Sequence, residues 1–124
     1  MQLDYNYKSL VESLQLLACS YDDQVNALPD YVDLLDELLS IFRDSFLSLP
    51  QLIENDYLSS MSIAAIIRCY NWVEVLSRNQ ETLTTDSLKG HKSWDKVRDM
   101  AESCLNEMGE IKRGPDLNFL DRVD

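Results

Sequence analysis

Apolar residues recur at steps of three and four over most of this 124-residue chain, and few residues interrupt the pattern. Such spacing places apolar side chains on one face of a helix, whereas a half-buried strand needs strict alternation. The chain has only three glycines and three prolines, a composition that favours helices over a turn-rich sheet. Because one domain is expected at this length, the sequence predicts an all-α, single-domain irregular helical bundle over residues 1–124. It should contain about four long helices plus short connecting helices.

Prolines and capping residues predict where the first two long helices begin and end. The first is expected over about residues 7–26, and Pro29 follows it, since proline disfavours helix in the residue before it. Asp30 is the predicted N-cap of the second helix. Pro50 is expected to end that helix.

Two further long helices are predicted in the second half of the chain. The third is expected from residue 59 or 60 to about residue 78. The last is expected to begin at an N-cap at Ser93 and to stop at Gly114 and Pro115. Short helical turns are expected at residues 51–57 and 86–89, and the apolar tail at residues 116–124 is expected to dock back on the bundle.

The third helix is predicted to be the centre of the bundle. Its apolar residues point almost all round the helix axis, and its only charged residues are Arg68, Glu74 and Arg78. A helix that is apolar on every side is normally packed on every side. Replacing Ile67 with Asp is therefore expected to unfold the protein. The predicted core centres on Ile63, Ile66, Ile67, Tyr70 and Val73.

Charge is distributed unevenly along the chain. Residues 1–67 hold eleven acidic residues against two basic ones, a net charge of −9, whereas residues 68–124 hold eleven against nine, a net charge of −2. A strongly acidic surface repels nucleic acids and anionic membranes and attracts basic proteins. We therefore expect a basic protein as partner, and no binding to nucleic acid or membrane.

The acidic residues of the second helix are also placed at helical spacing. Asp30, Asp33, Glu37 and Asp44 are separated by steps of three, four and seven, which puts them on one face. Exposed helix faces usually mix both signs of charge, so a face of one sign favours a partner-binding role over a plain solvent-exposed face, which stays the alternative. The predicted partner-binding residues are Asp22, Asp23, Asp30, Asp33, Asp36, Glu37, Asp44 and Tyr31.

No arrangement of residues in the sequence predicts catalysis or a cofactor. His91 is the only histidine, so zinc sites of the H-E-x-x-H type are excluded, and there is no glycine-rich phosphate loop. Asp22 and Asp23 with Asp30 or Asp33 are candidate metal ligands, but EF-hand spacing is missing and adjacent helix residues face different ways. We expect a protein that is not an enzyme and that needs neither metal nor cofactor.

The cysteines, the N-terminal residues and the lengths of the apolar runs together predict the cellular compartment. Cys19, Cys69 and Cys104 are odd in number and widely spaced, which predicts buried free thiols rather than a disulfide framework or a zinc site. The N-terminal residues lack the features of a secretion signal, and no apolar run is long enough to span a membrane. We expect a cytoplasmic protein.

Two segments resemble small all-helical immunity proteins of bacterial contact-dependent growth-inhibition toxin systems. They are LPDYVDLLDELLSIFRDSFLSLPQLIENDYLS, residues 28–59, and SWDKVRDMAESCLNEMG, residues 93–109. The resemblance is one of layout: a proline and an aromatic residue, a Leu/Phe-rich helix, a second proline, a short turn, a long helix and a closing Trp-x-x-Val-Arg-x-x-Ala segment. It implies an inhibitor that binds a cognate toxin domain, often a basic nuclease, in the cytosol.

The charge pattern and the resemblance together predict an immunity protein that neutralises a toxin domain, expected to be a basic nuclease, by occluding its active site with the acidic face. Tyr21, Tyr31 or Tyr57 would serve as apolar anchors. Two alternatives stay open. One is a helical adaptor or regulatory interaction protein, and the other is a carboxylate metal-binding helical enzyme that uses Asp22 and Asp23.

Overall fold

The computed structural model describes residues 2–30 and 32–120, which form a bundle of helices. No residue of these two stretches lies in a β-strand, and the prediction of an all-α single-domain fold is confirmed. The described helices, in chain order, are α1 Gln2–Ala18, α2 Tyr21–Ala27, α3 Leu34–Phe46, α4 Leu49–Glu54, α5 Ser60–Ser77, α6 Thr85–Gly90, α7 Lys92–Glu107 and α8 Leu117–Leu120.

Helix α1 lies at the centre of the bundle. Every residue from Leu10 to Cys19 is buried, and α1 packs against α3 and α7, with α4 and α8 also in contact. The prediction that the third long helix, α5, is central is wrong, because α5 packs mainly against α7. The position of α1 was hidden in the sequence because the buried stretch includes the polar residues Glu12, Ser13 and Gln15.

One of these polar residues joins α1 to α3. The hydroxyl oxygen of Ser13 lies 2.8 Å from that of Ser45 in α3, inside the core. Each hydroxyl also lies within hydrogen-bond distance of a backbone carbonyl of its own helix. Because each hydroxyl has one proton, one serine donates to the other, and the serine that accepts donates to its own helix. Buried polar groups are rarely left without partners, so this contact fixes α3 relative to α1.

The other two buried polar residues of α1, Glu12 and Gln15, hold a segment of the C-terminal region. This segment is residues 110–116, which we call the strap. Gln15 donates to one backbone carbonyl of the strap and accepts from the backbone N–H of Arg113, both at 2.8 Å. Glu12 forms an ion pair with the Arg113 guanidinium and accepts from the backbone N–H of Asp116 at 2.8 Å. The strap therefore lies along α1 through charged and amide hydrogen bonds rather than through an apolar face.

Helix α5 occupies the predicted residues but lies at the edge of the bundle. Ile66 and Val73 are fully buried, as expected, whereas Ile63 and Tyr70 are half-buried. Ile67 is 40% exposed. The prediction that Ile67 belongs to the core is therefore wrong, and the expected unfolding by Ile67→Asp loses its basis, because an Asp at this position keeps access to water.

Two predicted helix boundaries in the first third of the chain are also wrong. The expected first helix is divided at Ser20, whose hydroxyl accepts from the backbone N–H of Asp23 at 3.2 Å and caps α2. Helix α3 is capped by Asp33 rather than Asp30, because the Asp33 carboxylate accepts from the backbone N–H of Asp36 at 3.1 Å. Asp30 lies instead in the turn that precedes the cap.

The last long helix, α7, begins and ends earlier than predicted. His91, not Ser93, is its N-cap, and its Nδ1 accepts from the backbone N–H of Ser93 at 3.0 Å. The helix ends at Glu107, because Gly109 adopts a φ of 74°. This left-handed conformation is the usual way for a helix to stop at a glycine.

The predictions for the short helices and for part of the C-terminal tail are confirmed. Helix α4 overlaps the predicted turns at residues 51–57, and α6 covers those at residues 86–89. Helix α8 returns to α1, where the ring centroids of Tyr5 and Phe119 are 5.0 Å apart. The part of the predicted tail at residues 121–124 lies outside the described residues.

The three cysteines are buried free thiols, as predicted. Burial, with the nearby Asp23 carboxylate, raises the pKa of the Cys19 thiol to about 11. Because the thiolate is the reactive form, Cys19 stays protonated and inert near neutral pH.

The neighbouring substitutions Ile66→Asp and Ile67→Asp should differ sharply in their effect on stability. Ile66 is fully buried, so a carboxylate there has neither water nor a cationic partner and should cost several kcal/mol. Ile67 is partly exposed, and its replacement should cost about 1 kcal/mol. Urea unfolding followed by circular dichroism measures both free energies of unfolding. Equal losses would mean that α5 is packed on both sides in solution.

Candidate protein-binding surface

Three of the predicted partner-binding carboxylates lie at the N-termini of two consecutive helices. Asp22 and Asp23 are exposed in the first turn of α2, and Asp36 is exposed in the first turn of α3. The partial positive charge at a helix N-terminus stabilises carboxylates there. The sequence can therefore display these charges to water without weakening its own helices.

The connection between α2 and α3 brings Asp30 and Asp33 to one place. It contains a tight turn, in which the backbone N–H of Val32 donates to the carbonyl of Pro29 at 3.3 Å. Asp30 and Asp33 are both exposed. Asp33 uses Oδ1 to cap α3, and within the described residues its Oδ2 has no hydrogen-bond partner.

Asp30 and Asp33 line a shallow groove of about 280 Å³, which we call the acidic groove. This volume lies just below the range of about 300–1,000 Å³ that is usual for enclosed small-molecule sites. Six of the nine described lining residues of the acidic groove are apolar or aromatic, and the other three are polar or acidic. The residues that line it are Tyr21, Val25, Leu28, Pro29, Asp30, Val32, Asp33, Leu34 and Thr85.

The predicted acidic row does not stay together along α3. Glu37 is half-buried, and Asp44 lines a different pocket, which includes Tyr5 and Phe119. Eleven residues separate Asp33 from Asp44, or about 16 Å along a helix. Tyr31 lies outside the described residues. The structure therefore brings together Asp30 and Asp33 with Tyr21, and leaves Asp44 apart.

None of the described lining residues of the acidic groove is basic. Tyr21 also lines a second pocket, which includes Lys89, Arg98 and Lys112. Arg43 is the only base between Lys8 and Arg68 in the sequence. Its Nε donates to Glu74 in α5 at 2.8 Å, and its Nη2 donates to the hydroxyl of Ser77 at 3.1 Å. Arg43 is thus paired with α5 rather than with the carboxylates of the groove.

Only one of the two described tyrosines that were considered as anchors belongs to the acidic groove. Tyr21 lines it. Tyr57 instead donates its hydroxyl to Asp4 at 2.6 Å, and its ring centroid is 5.9 Å from that of Tyr7. The hydrogen bond to the Asp4 carboxylate raises the pKa of Tyr57. Tyr57 is therefore occupied in contacts to α1.

Val25 and Thr85 are groove residues that the sequence did not indicate. Val25 falls within the predicted first helix, but it lies in α2 and is exposed. Thr85 is far away in the sequence and comes close through α6, which contacts α3. Periodicity reports the face of one helix and contains no information about which distant element lies beside it.

Two negative findings concern the described part of the chain. It contains no group of three or more His, Cys, Asp or Glu side chains arranged to hold a metal ion. None of its helices is both long and apolar enough to cross a membrane.

In comparisons with protein-family models, curated proteins and solved structures, nothing matched this chain. The resemblance to immunity proteins therefore rests on the two sequence segments given above.

Asp33→Ala and Asp30→Ala remove the same charge three residues apart and should differ in stability. Loss of the Asp33 side chain removes the N-cap of α3 and should cost about 0.5–2 kcal/mol. Asp30 is exposed and caps nothing, so its replacement should stay within about 0.5 kcal/mol. Urea denaturation midpoints provide the comparison. A larger loss for Asp30→Ala would show that α3 begins at Asp30 in solution.

Proposed function

We propose that this chain is an immunity protein, which binds a cognate toxin domain with a basic surface and neutralises it. The observation that carries the proposal is the acidic groove, which combines apolar walls, two carboxylates and no basic lining residue among those described. The layout resemblance of residues 28–59 and 93–109 supports the same function independently of the charge.

The chemistry of the acidic groove suits an arginine or lysine of the partner. Long basic side chains bury their aliphatic stems against apolar surface and keep the charged head near water or a carboxylate. Here Val25 and Leu28 would contact the stem, and Asp30 and Asp33 would pair with the head. Tyr21 adds an aromatic surface, and tyrosine is common among residues that dominate binding energies.

Exposed carboxylates outside the groove would act at longer range. Asp22, Asp23 and Asp36 add to the field of a chain whose net charge is −11. Complementary charge raises association rates by factors of roughly 10 to 1,000, and the effect falls with salt. The binding of a basic partner would therefore be fast and strongly dependent on ionic strength.

Neutralisation by this route needs no chemistry from the inhibitor. A nuclease holds substrate phosphates with basic side chains, and an acidic surface that occupies those side chains excludes the substrate. We propose that the chain acts in this way in the bacterial cytoplasm, as a stoichiometric inhibitor rather than an enzyme.

A helical adaptor protein is the second candidate. The observation that favours it is a separate apolar surface on α5, where Met61 is 59% exposed and Val75 is 50% exposed. An adaptor needs two surfaces for two partners, whereas an inhibitor needs one.

The proposal is tested first by co-expression with the protein that is encoded directly upstream. We expect the chain to restore growth to cells that express that protein, and the two to co-purify. Asp30→Lys with Asp36→Lys should then slow association with its inactivated form by about tenfold or more at low salt, because the electrostatic attraction is weakened. Stopped-flow mixing between about 50 and 500 mM salt measures the rate across the range in which screening deepens.

The matched control for this experiment is Glu54→Lys with Asp99→Lys. Both residues are exposed carboxylates outside the acidic groove, and the change in net charge is the same. Asp33 and Glu37 are left intact because one caps α3 and the other is half-buried. Binding that is abolished by the control pair and unchanged by Asp30→Lys with Asp36→Lys would place the interface on another surface and contradict the proposal.

A further inference from the structure

Helix α5 has one side open to water along its whole length. It packs mainly against α7 and lies at the edge of the bundle. At 3.6 residues per turn, its open positions fall within one sector about 120° wide. The residues of this sector, which we call the α5 face, are Ser60, Met61, Ala64, Ile67, Arg68, Asn71, Val75 and Arg78.

The α5 face is apolar to an unusual degree for a surface. Met61, Val75 and Ile67 are 59%, 50% and 40% exposed. Single exposed apolar residues are common on folded proteins. These three share one side of one helix and span about 21 Å along it. Three exposed apolar side chains on one side of a helix, with Arg68 and Asn71 between two of them, are typical of a mixed apolar and polar interaction surface.

The charges of the α5 face are both positive. Arg68 and Arg78 are exposed, and neither side chain has an ion pair or hydrogen bond within the described residues. Glu74 is the only acid of α5, and it is paired with Arg43 at 2.8 Å. The α5 face itself carries no carboxylate, and Glu107 of α7, which lines a pocket together with Arg68, forms no ion pair with it.

We infer that the α5 face binds an amphipathic helix of another protein, which carries an apolar stripe and two carboxylates ten residues apart. Arg68 and Arg78 are separated by about 15 Å along α5 and by about 80° around its axis. A helix that lies alongside α5 matches them with Asp or Glu at the same separation. Its apolar stripe covers Met61, Ile67 and Val75, in the manner of helix-in-groove recognition. This binding is independent of the proposed immunity function.

Two other occupants fit the α5 face less well. A second copy of this chain brings another −11 charge, and in a two-fold antiparallel pair Arg68 near the middle of the face meets its own counterpart. An anionic membrane attracts Arg68 and Arg78, but the net charge of the whole molecule repels it. An acidic helix is the occupant that supplies opposite charge only where the arginines are.

The probe is a fluorescein-labelled 21-residue synthetic helical peptide with leucines on one face and two glutamates ten residues apart. Fluorescence anisotropy with the full chain should give saturable binding. Arg68→Glu with Arg78→Glu should weaken it about tenfold or more, since like charges brought together oppose association. The same double variant should bind a peptide with lysines in place of the glutamates better than the unaltered chain does. This exchange of preference is not expected from non-specific apolar adhesion.

The control variant is Lys8→Glu with Lys89→Glu, which makes the same charge change at exposed lysines outside the α5 face. It should leave the affinity for the glutamate peptide within about twofold, because screening limits the effect of distant surface charge. No binding up to about 1 mM peptide, or equal losses in both double variants, would overturn the inference. So would a dimer in sedimentation equilibrium that Val75→Ser abolishes, or binding to phosphatidylglycerol vesicles in preference to the peptide.

Discussion

The rest of the fold depends on the burial of α1 among polar contacts. From Leu10 to Cys19 no side chain of this helix is open to water, although the stretch includes Glu12, Ser13 and Gln15. A buried polar group without a partner costs free energy, and a buried charge costs more. Each of the three therefore requires a particular neighbour. Ser45 of α3 meets one requirement, and the strap meets the other two, so the central helix determines both which helix packs against it and where the C-terminal segment lies.

This constraint explains which parts of the fold the sequence could predict. Helix content, the edges of α5 and the presence of short helices follow from apolar spacing and capping residues, which are local. The choice of central helix is not local. Helix α5 looked central because nearly all its residues are apolar, whereas α1 looked amphipathic because Glu12 and Gln15 are polar. Only the partners of those side chains, about a hundred residues further along the chain, reveal that α1 is the buried one.

The candidate site likewise has a part that the sequence could predict and a part that it could not. Charge could be read from the sequence, and Asp30 and Asp33 do meet in one groove. The acidic row as a whole could not be predicted correctly, because that prediction assumed a single helix that started at Asp30. The turn between Pro29 and Val32 moves the start to Leu34 and converts Asp33 into a cap. Asp33 therefore carries two roles that a variant must separate. One carboxylate oxygen holds the helix, and the other lacks a hydrogen-bond partner within the described residues.

The ion pair between Arg43 and Glu74 connects the two surfaces of the molecule. Arg43 is the only base in the strongly acidic stretch of residues 9–67, and Glu74 is the only acid in α5. Their side chains pair at 2.8 Å. The one base of the acidic stretch and the one carboxylate of α5 therefore neutralise each other. With both side chains partly exposed, the contact adds little to stability. Its larger effect is electrostatic, because it engages the only base of α3 and the only acid of α5 with each other. This ion pair joins α3 to α5 alongside the stacked rings of Phe46 and Tyr70, and it leaves on one chain the groove proposed for a basic partner and the face proposed for an acidic one.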